Sequence, residues 1–128
     1  MESFVLRVKD QERRLYARRE LYMGIRRDWQ KGSRLFFVSK TNQDELIGAG
    51  ILEEIVELDA MDAREKELCL QNNWYGRMVL ERVERFLPPL PIVGTPLAGV
   101  RPVLLHGLEI AEGQAAEIDA LVASRIVS

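Results

Sequence analysis

Two groups of residues in this sequence are of types that could do chemistry. One is Gly24-Ile25-Arg26-Arg27-Asp28-Trp29-Gln30-Lys31-Gly32, where two arginines and a lysine flank an indole; the other is the pair Trp74-Tyr75, set in a polar turn. Guanidinium and ammonium groups meet phosphate oxygens without reading sequence, and flat rings stack on unpaired bases at ~1–3 kcal/mol per base. Adding Tyr22 and Lys40 gives the candidate binding set: Tyr22, Arg26, Arg27, Trp29, Lys31, Lys40, Trp74 and Tyr75. Its chemistry is contact with phosphates and bases, and no catalytic residue is assigned. Lys40 does fall beside Thr41 and Glu45, but hydrolysis also needs a base tuned for proton transfer, and the sequence gives no sign of one.

Each candidate also has a plainer use. Trp29 follows a predicted helix and serves either as a stacking platform or as a cap on the core. Trp74 and Tyr75 form either a pocket wall or a lid over the end of a barrel. Lys40 faces the loop or is a solvated turn lysine. His106 shares a predicted strand face with Leu104, Leu108 and Ile110, which reads as a buried neutral histidine with one backbone partner. Cys69 reads as a helix thiol against the core. One cysteine and one histidine cannot furnish a four-ligand zinc set from these side chains, and no metal or cofactor is expected. Gly48-Ala49-Gly50 lacks the third glycine and following helix of a dinucleotide loop.

The 128 residues suffice for one domain with its own core, and nothing divides them; we read 1–128 as a single domain. With 47% hydrophobic and 30% charged residues, the composition is that of a folded soluble protein. No apolar run approaches the ~20 residues of a membrane span. Met1-Glu2-Ser3-Phe4 lacks the basic start of a secretory signal, so a cytoplasmic location with no membrane partner is expected. The net charge of −2 hides an asymmetry: residues 1–40 hold eleven Lys and Arg against five Asp and Glu, a net +6, and the remainder nets −8. A local basic face able to meet phosphates follows, unless the acidic half pairs with it.

The elements that must position these groups are read as follows. Phe4–Lys9 is a short β-branched strand ending at Asp10, and Gln11 to about Met23 is a charged helix ended by Gly24. Leu35–Val38 and Leu46–Val56 form a hairpin across a Lys40–Glu45 turn. Gly48 and Gly50 share one strand face, marking a bend or a close approach of another backbone, and the alternation slips at Glu53-Glu54 as a bulge would cause. Asp59–Leu70 is an exposed helix with Asp59 as N-cap. Val79, Leu80, Val83, Phe86 and Leu87 fit a helical period, so Arg77–Leu87 taken alone is a helix. Pro88-Pro89-Leu90-Pro91 forbids regular structure, Val103–Ile110 is a last strand, and Ala115, Ile118, Leu121, Val122 and Arg125 lie at helical spacing after Gly113.

This order of elements resembles the PUA-like superfamily, particularly its EVE and ASCH branches. The likeness is carried by Trp29-Gln30-Lys31-Gly32 leading into Leu35-Phe36-Phe37-Val38, by Leu46-Ile47-Gly48-Ala49-Gly50-Ile51, and by Arg82-Val83-Glu84-Arg85-Phe86 followed by Pro88-Pro89-Leu90-Pro91. It covers most of the chain through loose, hydrophobic motifs. It implies an α+β fold, a small, partly open mixed β-barrel with peripheral helices, in which Arg77–Leu87 is a strand despite its periodicity; we adopt that assignment. It also implies binding of RNA, or of a single modified base between the barrel and its first helix. One ASCH-type branch hydrolyses acylated nucleosides with a Thr, Lys and Glu set near Gly-Lys-Lys-Thr. The corresponding Gly24-Ile25-Arg26-Arg27 has neither that Lys nor that Thr, so the resemblance does not carry the activity over.

The leading expectation is thus a non-catalytic module for RNA or modified nucleic acid. A small acyl-transfer or nucleoside-processing enzyme is the second: Phe37-Val38 with Leu46-Ile47-Gly48 is similar to the central hairpin of small acetyltransferases, although Pro88-Pro89-Leu90-Pro91 stands where their pyrophosphate turn belongs. A protein-interaction module, pairing through the proline stretch and apolar edges, is the third.

Overall fold

The computed structural model describes residues 2–127. Its strands are β1 (Ser3–Arg7), β2 (Glu20–Met23), β3 (Arg34–Lys40), β4 (Asp44–Glu57), β5 (Gly76–Pro91), β6 (Leu108–Ile110) and β7 (Ile126–Val127), and its helices are α1 (Glu12–Arg18), α2 (Ala63–Gln71) and α3 (Glu112–Val122). They form one mixed sheet in the order β2-β5-β4-β3-β1-β6, with β7 on β5 and, among the described residues, only the β1–β3 pair parallel.

The sheet curls into a half-barrel, and the packing shows why. Leu21 and Met23 of edge strand β2 share a buried cluster with Phe4 and Leu6 of β1, four places along the sheet. Flat strands at ~4.8 Å spacing would hold those residues roughly 19 Å apart. Register shifts between β4 and β5 at Leu46/Gly48, Ile51/Leu52 and Leu52/Glu54 supply the bend, the last falling at the slip read at Glu53-Glu54. The glycines make room for it: a Cβ on Gly48 would lie 2.4 Å from the Glu84 carbonyl oxygen, and one on Gly50 would lie 2.7 Å from that of Arg82.

Side chains alternating along the central strands feed two cores. Phe4, Leu6, Leu35 and Phe37 pack inside the curl with Leu15, Leu52, Met78 and Leu80. Val5, Phe36, Val38, Leu46 and Phe86 pack on the other face under Leu97, Leu105 and the Ala115, Ile118 and Val122 stripe of α3. Strands buried on both faces read as continuous apolar runs, which is how Leu35–Val38 reads.

Several sequence expectations are corrected. The helix expected from Gln11 to Met23 stops at Arg18, where Arg19 turns left-handed (φ 54°) and Glu20–Met23 becomes β2. Pairing with β5 outweighs the local preference there, and the Gln11 side chain bonds the β2 backbone at both the N–H (2.8 Å) and the carbonyl (3.3 Å) of Tyr22. Asp59 lies in a 3₁₀ turn; the N-cap of α2 is Asp62, whose carboxylate accepts from the Glu65 N–H at 2.8 Å. Arg77–Leu87 is strand, as adopted, against its helical period. The prolines do not end it: β5 runs to Pro91, where Leu90 and Pro91 pair with Leu46 and Glu45, and Arg125 donates to the carbonyls of Pro88 and Pro89 (3.0 and 3.1 Å). Of the strand expected over Val103–Ile110, only Leu108–Ile110 forms; Pro102–Leu104 is a 3₁₀ turn.

Candidate functional site

Residues of the end of β1, the start of the 24–33 loop, the 72–75 turn and the 101–107 segment come together in one place. They enclose a cleft of about 800 Å³ walled by Arg7, Lys9, Gln11, Tyr22, Trp74 and His106, with Asp10, Asn72, Asn73 and Val103 at its margin. Trp74 lies flat on Tyr22, ring centroids 4.6 Å apart and planes 3° from parallel. Tyr22 is itself fixed: its hydroxyl donates to Glu65 at 2.8 Å and the Arg14 guanidinium sits 4.7 Å from its ring centre. Burial, with the Glu65 hydrogen bond second, pushes the Tyr22 phenol up to about 12. Glu65 also lies 2.9 Å from Arg77 Nε, and Glu20 pairs with both Arg14 and Arg77, so the stack rests on an ion network joining α1, β2, α2 and β5.

Arg7 organises the opposite wall. Its guanidinium forks onto Asp44 at 2.6 and 3.3 Å and reaches the Pro102 carbonyl at 3.1 Å, while its backbone N–H donates to His106 Nδ1 at 2.9 Å. The hydrogen bonds from Arg7 hold the Asp44 carboxyl below the usual carboxylate range. Burial, with Arg7 and Arg27 nearby, holds His106 below its ordinary value and so neutral.

The predicted residues other than Lys31 divide among three adjoining hollows. Tyr22 and Trp74 wall the cleft. Arg26, Arg27, Trp29 and Tyr75 meet in a neighbouring groove of about 440 Å³ with Asp28 and Glu57. There Trp29 Nε1 donates to the Tyr75 hydroxyl at 2.6 Å, its ring meets Phe4 edge-on at 4.9 Å, and Arg26 covers Tyr75 at 4.2 Å. Arg27 Nε donates to the Gly107 carbonyl at 3.1 Å, tying this groove to the cleft wall. Lys40 lines a third hollow of about 630 Å³ with Arg13 and with Arg7, Lys9 and Asp10, which it shares with the cleft. Lys31 is exposed and lines none of the three.

Sequence reading missed Arg7, Lys9, Gln11, Asn72, Asn73 and His106 as cleft residues. Basic side chains closing a first strand were a usable signal for Arg7 and Lys9, whereas nothing local marks His106, whose partner is 99 positions away. His106 has the single backbone partner expected of it, but sits half-buried on a turn rather than on a strand face. Among the described residues, no group of His, Cys, Asp and Glu converges as metal ligands would, and no helix is long and apolar enough to cross a membrane.

Fold and site together define an α+β half-barrel with a cleft lined by polar and aromatic side chains. Comparison with family models and with curated proteins finds no match for this sequence.

Proposed function

We propose that this chain is a PUA-like domain that binds single-stranded RNA, or a modified base within it, in the cleft beside its first helix, without catalysing a reaction. One observation carries the reading. An indole pre-oriented by stacking on a buried, hydrogen-bonded tyrosine lines a cleft of about 800 Å³, room for more than one nucleotide, that Lys9 also lines. Aromatic faces that need no reorganisation hold unpaired bases, and the Lys and Arg side chains around them take the backbone. One neighbouring hollow adds rings and cations, Trp29 and Tyr75 with Arg26 and Arg27, and another adds cations alone, Arg13 and Lys40. The test is titration of short single-stranded RNAs against tryptophan fluorescence at several salt concentrations. Quenching with an affinity that falls as salt rises is expected; no response to any RNA, plain or base-modified, would sink the reading.

A further inference from the structure

His106 and the Gly107 backbone after it are held by three hydrogen bonds. The Arg7 N–H donates to its Nδ1 at 2.9 Å, the N–H of Gly107 donates to the Val5 carbonyl at 2.7 Å, and Arg27 takes the Gly107 carbonyl. Gly107 has φ +82°, a left-handed conformation that favours glycine, and its backbone packs against the Ile25 side chain of the 24–33 loop. An Nδ1 that accepts a hydrogen bond leaves the proton of a neutral ring on Nε2. That nitrogen has no hydrogen-bond partner among the described residues, although His106 lines the cleft beside Trp74.

From this geometry we infer that His106 is the specificity-determining contact of the cleft, its Nε2–H donating to a carbonyl oxygen on the edge of a base held against Trp74. The inference rests on the nucleic-acid reading above and narrows it to bases with a carbonyl where cytosine and adenine carry their amino group, namely uracil and guanine. Lys9 borders the same space and adds a donor and positive charge, the Arg7 guanidinium being paired with Asp44, and Asp10 supplies a carboxylate there. Uracil presents a carbonyl oxygen where cytosine presents an amino group. An amino group directed at the imidazole N–H would set donor against donor and leave both unpaired, which is how a hydrogen-bonding site rejects a near-isostere. A histidine needed only for structure would require Nδ1 and nothing more.

The test uses the whole chain and two short homopolymers, oligouridylate and oligocytidylate, compared by fluorescence anisotropy. The wild type is expected to favour oligouridylate roughly tenfold, the low end of what one well-made base contact discriminates. His106→Asn keeps an acceptor near the Nδ1 position and deletes the distal donor; it should melt close to the wild type and bind both oligomers equally. His106→Gln puts an amide nitrogen near the Nε2 position and deprives the Arg7 N–H of its partner; it should melt lower and keep part of the preference. Equal binding by the wild type, or a preference that survives in His106→Asn, overturns the assignment while leaving RNA binding intact. Binding of neither oligomer nor any other RNA by the wild type overturns both.

Discussion

The indole of Trp74 and the phenol of Tyr22 lie parallel at 4.6 Å, joining the turn before β5 to edge strand β2. Tyr22 is 6% exposed and hydrogen-bonded to Glu65, whereas Trp74 is half-exposed on the cleft. The two rings therefore have separable roles. Tyr22→Phe should cost about 1 kcal/mol of stability through the lost hydrogen bond, with little change in RNA affinity. Trp74→Ala should weaken RNA binding about tenfold, with ~1–3 kcal/mol of base stacking lost. Urea melts and anisotropy titrations on the two variants check the division; equal binding losses would contradict it.

The phenols predict behaviour at high pH. Tyr16, whose hydroxyl donates to the Ile47 carbonyl at 2.7 Å, is pushed up to about 12 by burial, and Tyr22 likewise. Both groups keep their protons in the folded state above the ordinary 10.0. Their contribution to stability is full below pH 10 and is lost as pH rises toward 12. Absorbance titration should show phenolate in the unfolded chain near pH 10 while these two phenols stay protonated in the folded one.

On the acid side two groups act in sequence. His106 has its pKa lowered from 6.5 by burial, Arg7 and Arg27, with Lys9 and Asp10 lining the same cleft. The unfolded chain takes up that proton first, so stability should begin to fall as pH drops through 6.5. Asp44, lowered from 3.8 by Arg7, stabilises above that pH, and its share is lost below it. Removing the partner is the sharper test. Arg7→Ala leaves a carboxylate with a 7% exposed side chain unpaired and should cost about 2–3 kcal/mol. Melts of wild type and His106→Asn from pH 8 to 4 check the first step, which should vanish in the variant.

The bend in β4 makes a prediction about glycine. Gly48→Ala drives a methyl to 2.4 Å from a β5 carbonyl and 3.1 Å from the Tyr16 hydroxyl. It should destabilise by ~1–3 kcal/mol as strands and Tyr16 shift. Gly113 in α3 has open space around its Cβ position; Gly113→Ala should stabilise by about 0.5–1 kcal/mol through helix propensity. Opposite signs in urea midpoints are the expected result.

The same bend explains what the sequence concealed. The β3–β4 hairpin was legible because Leu35–Val38 and Leu46–Ile51 keep strand composition around a polar turn. β5 was not, because each register shift against β4 breaks the two-residue alternation, and Val79, Val83 and Phe86 fall by accident at helical spacing. The short helix and strand over Glu12–Met23 blurred into one because Arg19 is an arginine where a left-handed turn usually has glycine. The site was half legible: its rings and arginines stood out by type, but the 24–33 loop spends Trp29 on Phe4 and Tyr75, and the cleft takes its opposite wall from Arg7 and His106.

Salt dependence separates the basic residues by position. Each phosphate contact removed lowers the salt slope of single-strand binding by about 0.7. Lys9 and Lys40 border the joined hollows beside Trp74, and Arg26 lies in the groove on its other side, so Lys9→Ala, Lys40→Ala and Arg26→Ala should each flatten the slope by that amount. Lys31, outside all three hollows, should leave it unchanged when replaced by alanine. Arg27→Ala should do more than its charge warrants, since it also releases the Gly107 carbonyl that helps hold His106 in place. Plots of log affinity against log salt for the five variants check this ordering. Equal slopes for Lys9→Ala and Lys31→Ala would show that general surface charge, and not the line of hollows, carries the RNA.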